Sequence, residues 1–540
     1  MTSEKQTRLP FLALYLMTAA LTVLYVRHNW GYAVDDSYIT FRYADNLRSG
    51  YGLRFNISEQ FYGTTAAGYA LLVCGLSFLV DPFLRFFGSP EFLGAGHASI
   101  PAAGTVLSAI SVGGIATILV RLVQLRASNI IGWVFALLSV IALFTCSAAN
   151  AVSSHETYTF LFVGLASTYA YLIARKPVLS AVLMAVACSV RPDTALIAGM
   201  LFVVGILRAR AAAPRSPLLE RLRDPIRYAA CLGILTVCWL LYARWNFGAF
   251  SPETLIAKKA QMLLRDFPSF NIKNLKTQMI AYGAPHILFI GALAVVVSAV
   301  TFVHAKTKDS FVRNGDLLLL ALIWAGYAIG DTAAYLAFHV SIWAWYVIAI
   351  MFAAAFAFFA LAIVAIGSGW AQGMFGKLTV SVAGAVGIAL VLLSAPSSSL
   401  TRWLSSRNVN EHILSYIPAA DFIRDANPNG TVIITCEPGA FAFRLGPKYE
   451  VVDELGLVSP GVARKIVQGD MDYPFRHWQP KYVIVSWHGL YTPEGRPWLD
   501  RDYVPVLSFT GPYWKVFGIT VHVFERKPDA NVALDTANNN

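Results

Sequence analysis

Two adjacent aspartates, Asp35 and Asp36, are the residues best placed to do chemistry. They lie about ten residues beyond the first hydrophobic segment, in the run from Val34 to Gly50. Only 14% of the residues are charged, and a carboxylate close to hydrocarbon is costly unless water, a partner or a substrate compensates it. A carboxylate held there could serve as a general base. The pair is therefore the first candidate catalytic site.

Other ionisable residues interrupt later hydrophobic segments. His155 and Glu156 lie between two of them, where such a pair indicates a functional site, although Glu156 could simply begin a helix. Arg191 and Asp193 flank Pro192 between two short apolar runs. Broken backbone at membrane depth is tolerated only inside protein or beside a cavity. Arg191 and Asp193 could line such a site or form an internal ion pair.

A basic segment follows farther along the chain. It contains Glu253, Lys258 and Lys259. Cations near a membrane surface suit a bound phosphate, but lysines there can also extend towards the headgroups without binding a substrate. Weaker candidates flank or begin later spans, where core packing explains the aromatic residues equally well: Asp331, His339, Trp345 and Tyr346.

The composition identifies a polytopic membrane protein. Of 540 residues, 56% are hydrophobic, and apolar stretches long enough to cross a bilayer recur along the first three quarters of the chain. The formal charge is +11, but the basic residues lie in short loops, which indicates membrane topology and no nucleic-acid partner. The six cysteines show neither a disulfide framework nor metal-ligand spacing.

The positive-inside rule predicts about eleven membrane segments, a cytoplasmic N-terminus and an extracytoplasmic C-terminal domain. The first segment, Phe11 to Val26, is predicted to be a retained anchor. The run from Ala66 to Phe87 is ambiguous, and the later loops agree best if it lies on the outer surface without crossing. The other predicted segments are Ala102 to Leu122, Ile130 to Cys146, Tyr158 to Ala174, Val178 to Val190, Ala195 to Leu207, Tyr228 to Trp245, Ile287 to Val303, Leu317 to Phe338, Ile342 to Ile366 and Leu378 to Leu393.

These segments define three regions. Residues 1–399 form a transmembrane domain, with residues 28–101 as its first extracytoplasmic loop, and residues 400–528 form a soluble domain before a disordered tail at 529–540. The soluble domain is predicted to be mixed α and β, with one helix near Pro460 to Gln468. Its predicted strands are Thr431 to Thr435, Tyr449 to Val452, Lys481 to Val485, Tyr503 to Leu507, Tyr513 to Phe517 and Thr520 to Phe524.

The residues after the aspartate pair have a helical period. Ser37 to Leu47 is too short and polar to span, so we expect a helix at the membrane interface with its aromatic side chains among the headgroups. Asp36 or Ser37 could merely cap this helix.

Several motifs resemble those of a known family. The pattern from Asp35 to Gly52, with Tyr62-Gly-Thr-Thr65, resembles the first outer loop of bacterial GT-C glycosyltransferases. It is most similar to the mycobacterial arabinofuranosyltransferases that use a decaprenyl-phosphate-linked sugar. Ser153 to Thr157, Arg191 to Asp193 and Phe247 to Lys258 follow in the family's order, and Gly439 to Val458 resembles its C-terminal region.

The resemblance implies a bacterial inner-membrane enzyme that transfers a sugar, such as arabinofuranose, from a polyprenyl phosphate to a cell-envelope glycan or glycolipid with inversion. It makes Asp35 the general base, with Asp36 orienting the acceptor or raising the pKa of its neighbour. Donor-phosphate ligands would be Arg191, Lys258 and His155. Further substrate contacts would be Arg42, Tyr62, Glu156, Glu253 and Tyr346.

The outward soluble domain would grip the acceptor, with Trp478, Trp487, Trp498 and Trp514 as stacking faces or core residues. No cofactor or metal is required, although Asp35, Asp36 and Glu156 could hold a divalent cation if the fold brought them together. The alternatives are a transporter or flippase for lipid-linked sugars, or an inactive glycan-binding scaffold. Transporters commonly contain internal repeats and broken helices in both halves, whereas this sequence shows one broken hairpin.

Overall fold

The computed structural model describes most of the chain. The described residues are 2–88, 96–145, 150–211, 217–263, 269–281, 308–367, 408, 410–486, 497–511, 515, 520–528 and 530. The predicted spans Ile287 to Val303 and Leu378 to Leu393, the tryptophans Trp487 and Trp514, and nearly all of the tail lie outside them.

The described residues in the first two thirds of the chain are mostly helical. The helices are α1 (Thr2–His28), α2 (Asp35–Arg48), α3 (Ala67–Phe87), α4 (Ser99–Arg126), α5 (Ile130–Thr145), α6 (Glu156–Leu172), α7 (Pro177–Val190), α8 (Ala195–Ala211), α9 (Leu218–Arg221), α10 (Arg223–Phe247), α11 (Thr254–Leu263), α12 (Ile272–Ala281), α13 (Lys308–Phe338) and α14 (Ala344–Gly367). Among the described residues, 7 helices are long and apolar enough to cross a membrane, and α5 and α7 are shorter apolar helices. The prediction of a polytopic helical protein is confirmed.

One end of the bundle is held by an ion-pair cluster around Asp316, near the start of α13. Arg126 at the end of α4 and Arg175 just after α6 approach its carboxylate at 3.9 Å and 3.1 Å. Arg208, in the last turn of α8, pairs with the same carboxylate. These helix ends therefore share one face, as the positive-inside argument predicts for the cytoplasmic loops.

Helix α3 is long and apolar enough to span, but both of its ends contact the face opposite Asp316. Near its start, a Cβ on Gly68 would lie 2.2 Å from Ser189 Oγ, close to the apex of the α7–α8 hairpin. Just past its end, the carbonyl of Gly88 accepts a hydrogen bond of 2.8 Å from Trp30, which follows α1. Both ends of this helix therefore lie on the same side of the bundle; that it lies along the outer surface without crossing stays a prediction.

The C-terminal domain contains one mixed sheet with helices. Its strands are β1 (Val432–Thr435), β2 (Glu450–Asp453), β3 (Tyr482–Val485), β4 (Tyr503–Phe509) and β5 (Val521–Arg526), in the order β2-β1-β3-β5-β4. Strand β1 pairs in parallel with β2 and β3, and β5 is antiparallel to β3 and β4. Its helices are α15 (Glu411–Leu414), α16 (Ile417–Ala426), α17 (Pro438–Leu445), α18 (Val462–Val467), α19 (Tyr473–Trp478) and α20 (Pro497–Asp502). The mixed α/β class is confirmed, although the sequence indicated only α18 among these helices.

Helix α2 is packed between the membrane helices and the C-terminal domain. Tyr38 and Phe41 are buried and contact Phe443 of α17, with ring centroids 5.4 Å and 6.5 Å away. The expectation that these aromatic side chains lie among lipid headgroups was wrong. The C-terminal domain covers them, and burying aromatic surface against protein contributes more stability than partial exposure at an interface.

Close approach between α2 and α17 depends on Gly439. A Cβ at this position would lie 2.1 Å from the backbone oxygen of Asp35, so a larger residue must push the two helices apart. We expect Gly439→Ala to destabilise the docked C-terminal domain by about 1–3 kcal/mol. Thermal unfolding of the purified protein would measure the change. Gly233→Ala is the control because no neighbouring atom lies within 4 Å of its Cβ position; an equal loss in both variants would contradict the prediction.

Candidate active site

Asp35 joins the membrane domain to the C-terminal domain. Its carboxylate accepts hydrogen bonds from the backbone amides of Gly439, at 3.3 Å, and Ala440, at 2.8 Å, in the first turn of α17. A carboxylate is favourable at a helix N-terminus, where backbone amides lack partners within the helix. Burial, followed by the nearby Glu437 carboxylate, raises the pKa of Asp35 to about 7.

Asp36 is placed differently from its neighbour. Its half-buried carboxylate makes no hydrogen bond or ion pair with any residue that the structure describes. Burial raises its pKa, and the Glu437 carboxylate adds to this effect while Lys258 opposes it. Val34 is the N-cap of α2 and no side chain caps this helix, so the alternative that Asp36 or Ser37 serves as a cap is not observed.

The start of α6 brings His155 and Glu156 to the same region. His155 Nε2 lies 3.1 Å from Glu156 Oε2, and His155 Nδ1 lies 2.8 Å from Thr157 Oγ1. Glu156 is close enough to interact electrostatically with both Asp36 and Arg191. Asp36 and Glu156, which are about 120 positions apart in the sequence, therefore belong to one site.

Arg191 lies at the broken apex between α7 and α8. Its Nε contacts Asp193 Oδ2 at 2.7 Å, and its Nη2 donates to the Tyr335 hydroxyl at 2.9 Å. The guanidinium also lies over the Phe160 and Tyr346 rings, 4.9 Å and 5.3 Å from their centroids. The ion pair with Asp193 is thus present, yet Arg191 Nη1 is buried and has no hydrogen-bond partner in the part of the chain that the structure describes. One donor therefore stays available for an anionic ligand.

Aromatic rings connect Lys258 with His155. The Lys258 ammonium lies 5.5 Å from the Trp343 ring centroid. Trp343 is parallel to Trp345 at 5.3 Å, and Trp345 lies 5.2 Å from the His155 ring. Contact with an aromatic ring stabilises a cation and restricts its position.

Three predicted substrate ligands make structural contacts instead. Arg42 is fully buried and donates to the carbonyls of Phe55, Ala442 and Tyr449. Tyr62 is buried with its ring stacked on Phe247 at 4.2 Å. Glu253 pairs with Arg464 of the C-terminal domain. The charged groups of Arg42 and Glu253 already have partners, and the Tyr62 ring is already stacked. The geometry therefore gives no support to substrate binding by these three residues.

Sequence reasoning missed four residues near the site: Trp343, Tyr335, His412 and Glu437. Trp343 could have been found because it lies two positions before Trp345, and Tyr335 lies one helical turn after Asp331. His412 and Glu437 gave no such signal. They belong to the C-terminal domain, and only the folded chain brings them to Asp35.

Metal binding would require several donor side chains to lie close together. No cluster of three or more His, Cys, Asp or Glu side chains suited to a metal occurs in the described part of the chain. The alternative in which Asp35, Asp36 and Glu156 share a cation therefore finds no preformed set of ligands there.

Comparison with known proteins gives the fold class. No protein-family model and no curated protein matches the chain. A solved oligosaccharyltransferase from Archaeoglobus fulgidus, tethered to an acceptor peptide by a disulfide bond, is similar in structure. The TM-score is 0.52 and the sequence identity 13%, and the match covers 93% of this chain and 73% of the other. The chain is therefore a polytopic membrane protein of the GT-C fold class with a C-terminal α/β domain.

The elevated pKa of Asp35 predicts a pH-dependent stability. The carboxyl titrates near 7 in the folded protein and near its ordinary value of about 4 when unfolded. The contribution of Asp35 to the free energy of unfolding is therefore fully present below pH 4 and is lost as the pH rises from 4 to 7. Above pH 7 it changes no further. We expect Asp35→Asn, whose neutral amide oxygen can still accept the shorter hydrogen bond, from the Ala440 amide, to flatten this slope in thermal unfolding between pH 4 and 7. An unchanged slope would exclude Asp35 as its source.

Proposed function

We propose that this protein is an inverting membrane glycosyltransferase. It transfers a sugar, with arabinofuranose as the first candidate, from a polyprenyl-phosphate donor to a cell-envelope glycan or glycolipid. The observation that carries the proposal is the Asp36 carboxylate, which has no hydrogen-bond or ion-pair partner among the described residues. It is close to Lys258 and Glu156, on the face opposite the Asp316 cluster. The GT-C fold supports the class of reaction, and the resemblance of the motifs supports the donor.

In the proposed reaction, Asp36 is the general base. It takes the proton from the acceptor hydroxyl as that oxygen bonds to the anomeric carbon, while the bond from that carbon to the phosphate oxygen breaks. The electron pair leaves with the polyprenyl phosphate, a stabilised anion that needs little acid assistance. Asp35 was the first choice from the sequence, but its oxygens already accept hydrogen bonds from α17. The free carboxylate of Asp36 suits the role better.

Cations and hydrogen-bond donors near the base would hold the donor phosphate. Lys258 supplies a positive charge near Asp36, and Arg191 supplies the unused Nη1 donor. His155 and Tyr346 lie beside this region, through contacts with Trp345 and Arg191 respectively. Such groups would stabilise the charge that develops on the leaving phosphate.

The acceptor would approach where α2 meets the C-terminal domain. In the similar oligosaccharyltransferase the tethered ligand is an acceptor peptide; for this chain we propose a glycan or glycolipid at the bacterial inner membrane, on the extracytoplasmic face. Trp478 donates to Glu450 and Trp498 is buried, which favours core packing over sugar stacking for these two residues. A transporter of lipid-linked sugars is the second candidate, because a cluster of buried ionisable residues among apolar helices suits it as well.

Asp36→Asn should reduce sugar transfer by a factor of about 100 or more, because general-base catalysis typically contributes that much. Asp35→Asn should retain most of the activity once the protein is folded. Purified protein with synthetic polyprenyl-phosphate sugars and glycan acceptors would measure both. Undiminished transfer by Asp36→Asn would eliminate this base. Translocation of the lipid-linked sugar without transfer by the wild type would instead favour the transporter.

Two adjacent lysines provide a matched test of phosphate binding. Lys258 is half-buried beside Trp343, whereas Lys259 is exposed. Lys258→Met should weaken donor binding by about tenfold or more, since a charge-assisted contact contributes about 1.5–3 kcal/mol. Lys259→Met should leave it unchanged. Titration with a short-chain polyprenyl phosphate would measure both affinities, and equal effects would refute a specific role for Lys258.

A further inference from the structure

A histidine–glutamate pair of the C-terminal domain lies beside the two aspartates. His412 Nε2 is 3.0 Å from Glu437 Oε2, and both side chains are mostly buried, with 18% and 12% of their surfaces exposed. Glu437 interacts electrostatically with Asp35 and with Asp36, and His412 interacts with Asp35. The pair therefore belongs to the same charged cluster as the proposed base.

Backbone contacts fix both members of the pair. His412 lies in α15, whose N-cap residue Asn410 accepts a hydrogen bond from the His412 amide at 3.2 Å and donates to the carbonyl of Ala33 at 2.8 Å. Glu437 immediately precedes α17, and its amide donates to Thr435 Oγ1 at 3.3 Å. The ion pair thus ties α15, which is anchored two residues before Asp35, to the α17 turn that binds Asp35.

Charges from three other elements face this pair or the aspartates. Helix α2 contributes Asp35 and Asp36, α11 contributes Lys258, and Glu156 of α6 faces Asp36. Contact with Glu437 keeps the pKa of His412 above its ordinary value, against the effect of burial. A protonated His412 offsets part of the negative charge that Glu437 adds to the cluster.

We propose that the His412–Glu437 pair is a positioning element of the active site: it holds the first turn of α17 against Asp35, and so sets the orientation and electrostatic environment of Asp36. This inference rests on the proposed function for its catalytic consequence. It makes the C-terminal domain part of the active site as well as an acceptor-binding domain. His412 and Glu437 act through the aspartates and are not required to touch the substrate.

Two conservative variants of the full-length protein should shift the pH dependence of transfer in opposite directions. Glu437→Gln removes a negative charge, so the acidic limb of the kcat/KM profile should move down by about half a pH unit or more. His412→Gln leaves Glu437 without its counter-charge, so the acidic limb should move to higher pH. Arg464→Gln, which breaks the ion pair of the C-terminal domain with Glu253, is the control and should not move the limb. Shifts in the same direction, or none, would overturn the electrostatic part of the proposal.

Hydrogen exchange separates this proposal from the proposed function, because it requires no turnover. At constant pH, His412→Gln and Glu437→Gln should increase amide exchange in residues 36–46 and 438–445. Arg464→Gln should increase exchange around α18 alone. Unchanged protection of α17 in both pair variants would overturn the positioning role. Increased exchange in a protein that transfers no sugar would preserve that role and reject the glycosyltransferase.

Discussion

The rest of the structure depends on the hydrogen bonds that the buried guanidinium of Arg42 donates. It lies in α2 and donates to Phe55 in the first loop and to Ala442 and Tyr449 in the C-terminal domain. A fully buried charge is tolerated only when its donors are satisfied, and removing such partners costs about 3–5 kcal/mol. The membrane domain and the C-terminal domain must therefore meet in one register. That register brings Gly439 and Ala440 to Asp35.

Once α2 is held in this way, the two aspartates acquire different roles. Successive residues on a helix point about 100° apart, so docking one carboxylate on α17 directs the next away from it. Asp35 becomes part of the domain contact, and Asp36 is left facing Lys258 and the residues at the start of α6. The contact between Asp35 and α17 thereby holds the two domains together and also orients the Asp36 carboxylate for its proposed role as general base.

The hydrophobic pattern predicted the described membrane helices, including the hairpin broken at Arg191 to Asp193, because helix length and polarity in a membrane are local properties. Five of the six predicted strands of the C-terminal domain lie within two residues of the observed β1 to β5, and the sixth, Tyr513 to Phe517, lies almost wholly outside the described residues. Asp36, Glu156, Arg191 and Lys258 were identified as candidates from charge in an apolar sequence. Arg42, Tyr62 and Glu253 were assigned to substrate because motif order says nothing about which side chains the folded domains bury.

The sequence by itself determined a polytopic membrane protein with a C-terminal α/β domain, because composition and hydrophobic periodicity reflect the solvent that each segment contacts. Only the tertiary structure distinguished Asp35 from Asp36 and brought His412 and Glu437 to them. Those contacts join residues about 400 positions apart. Which groups are buried and which form hydrogen bonds across such sequence separations depends on how whole helices and strands pack. The local sequence pattern does not specify that packing.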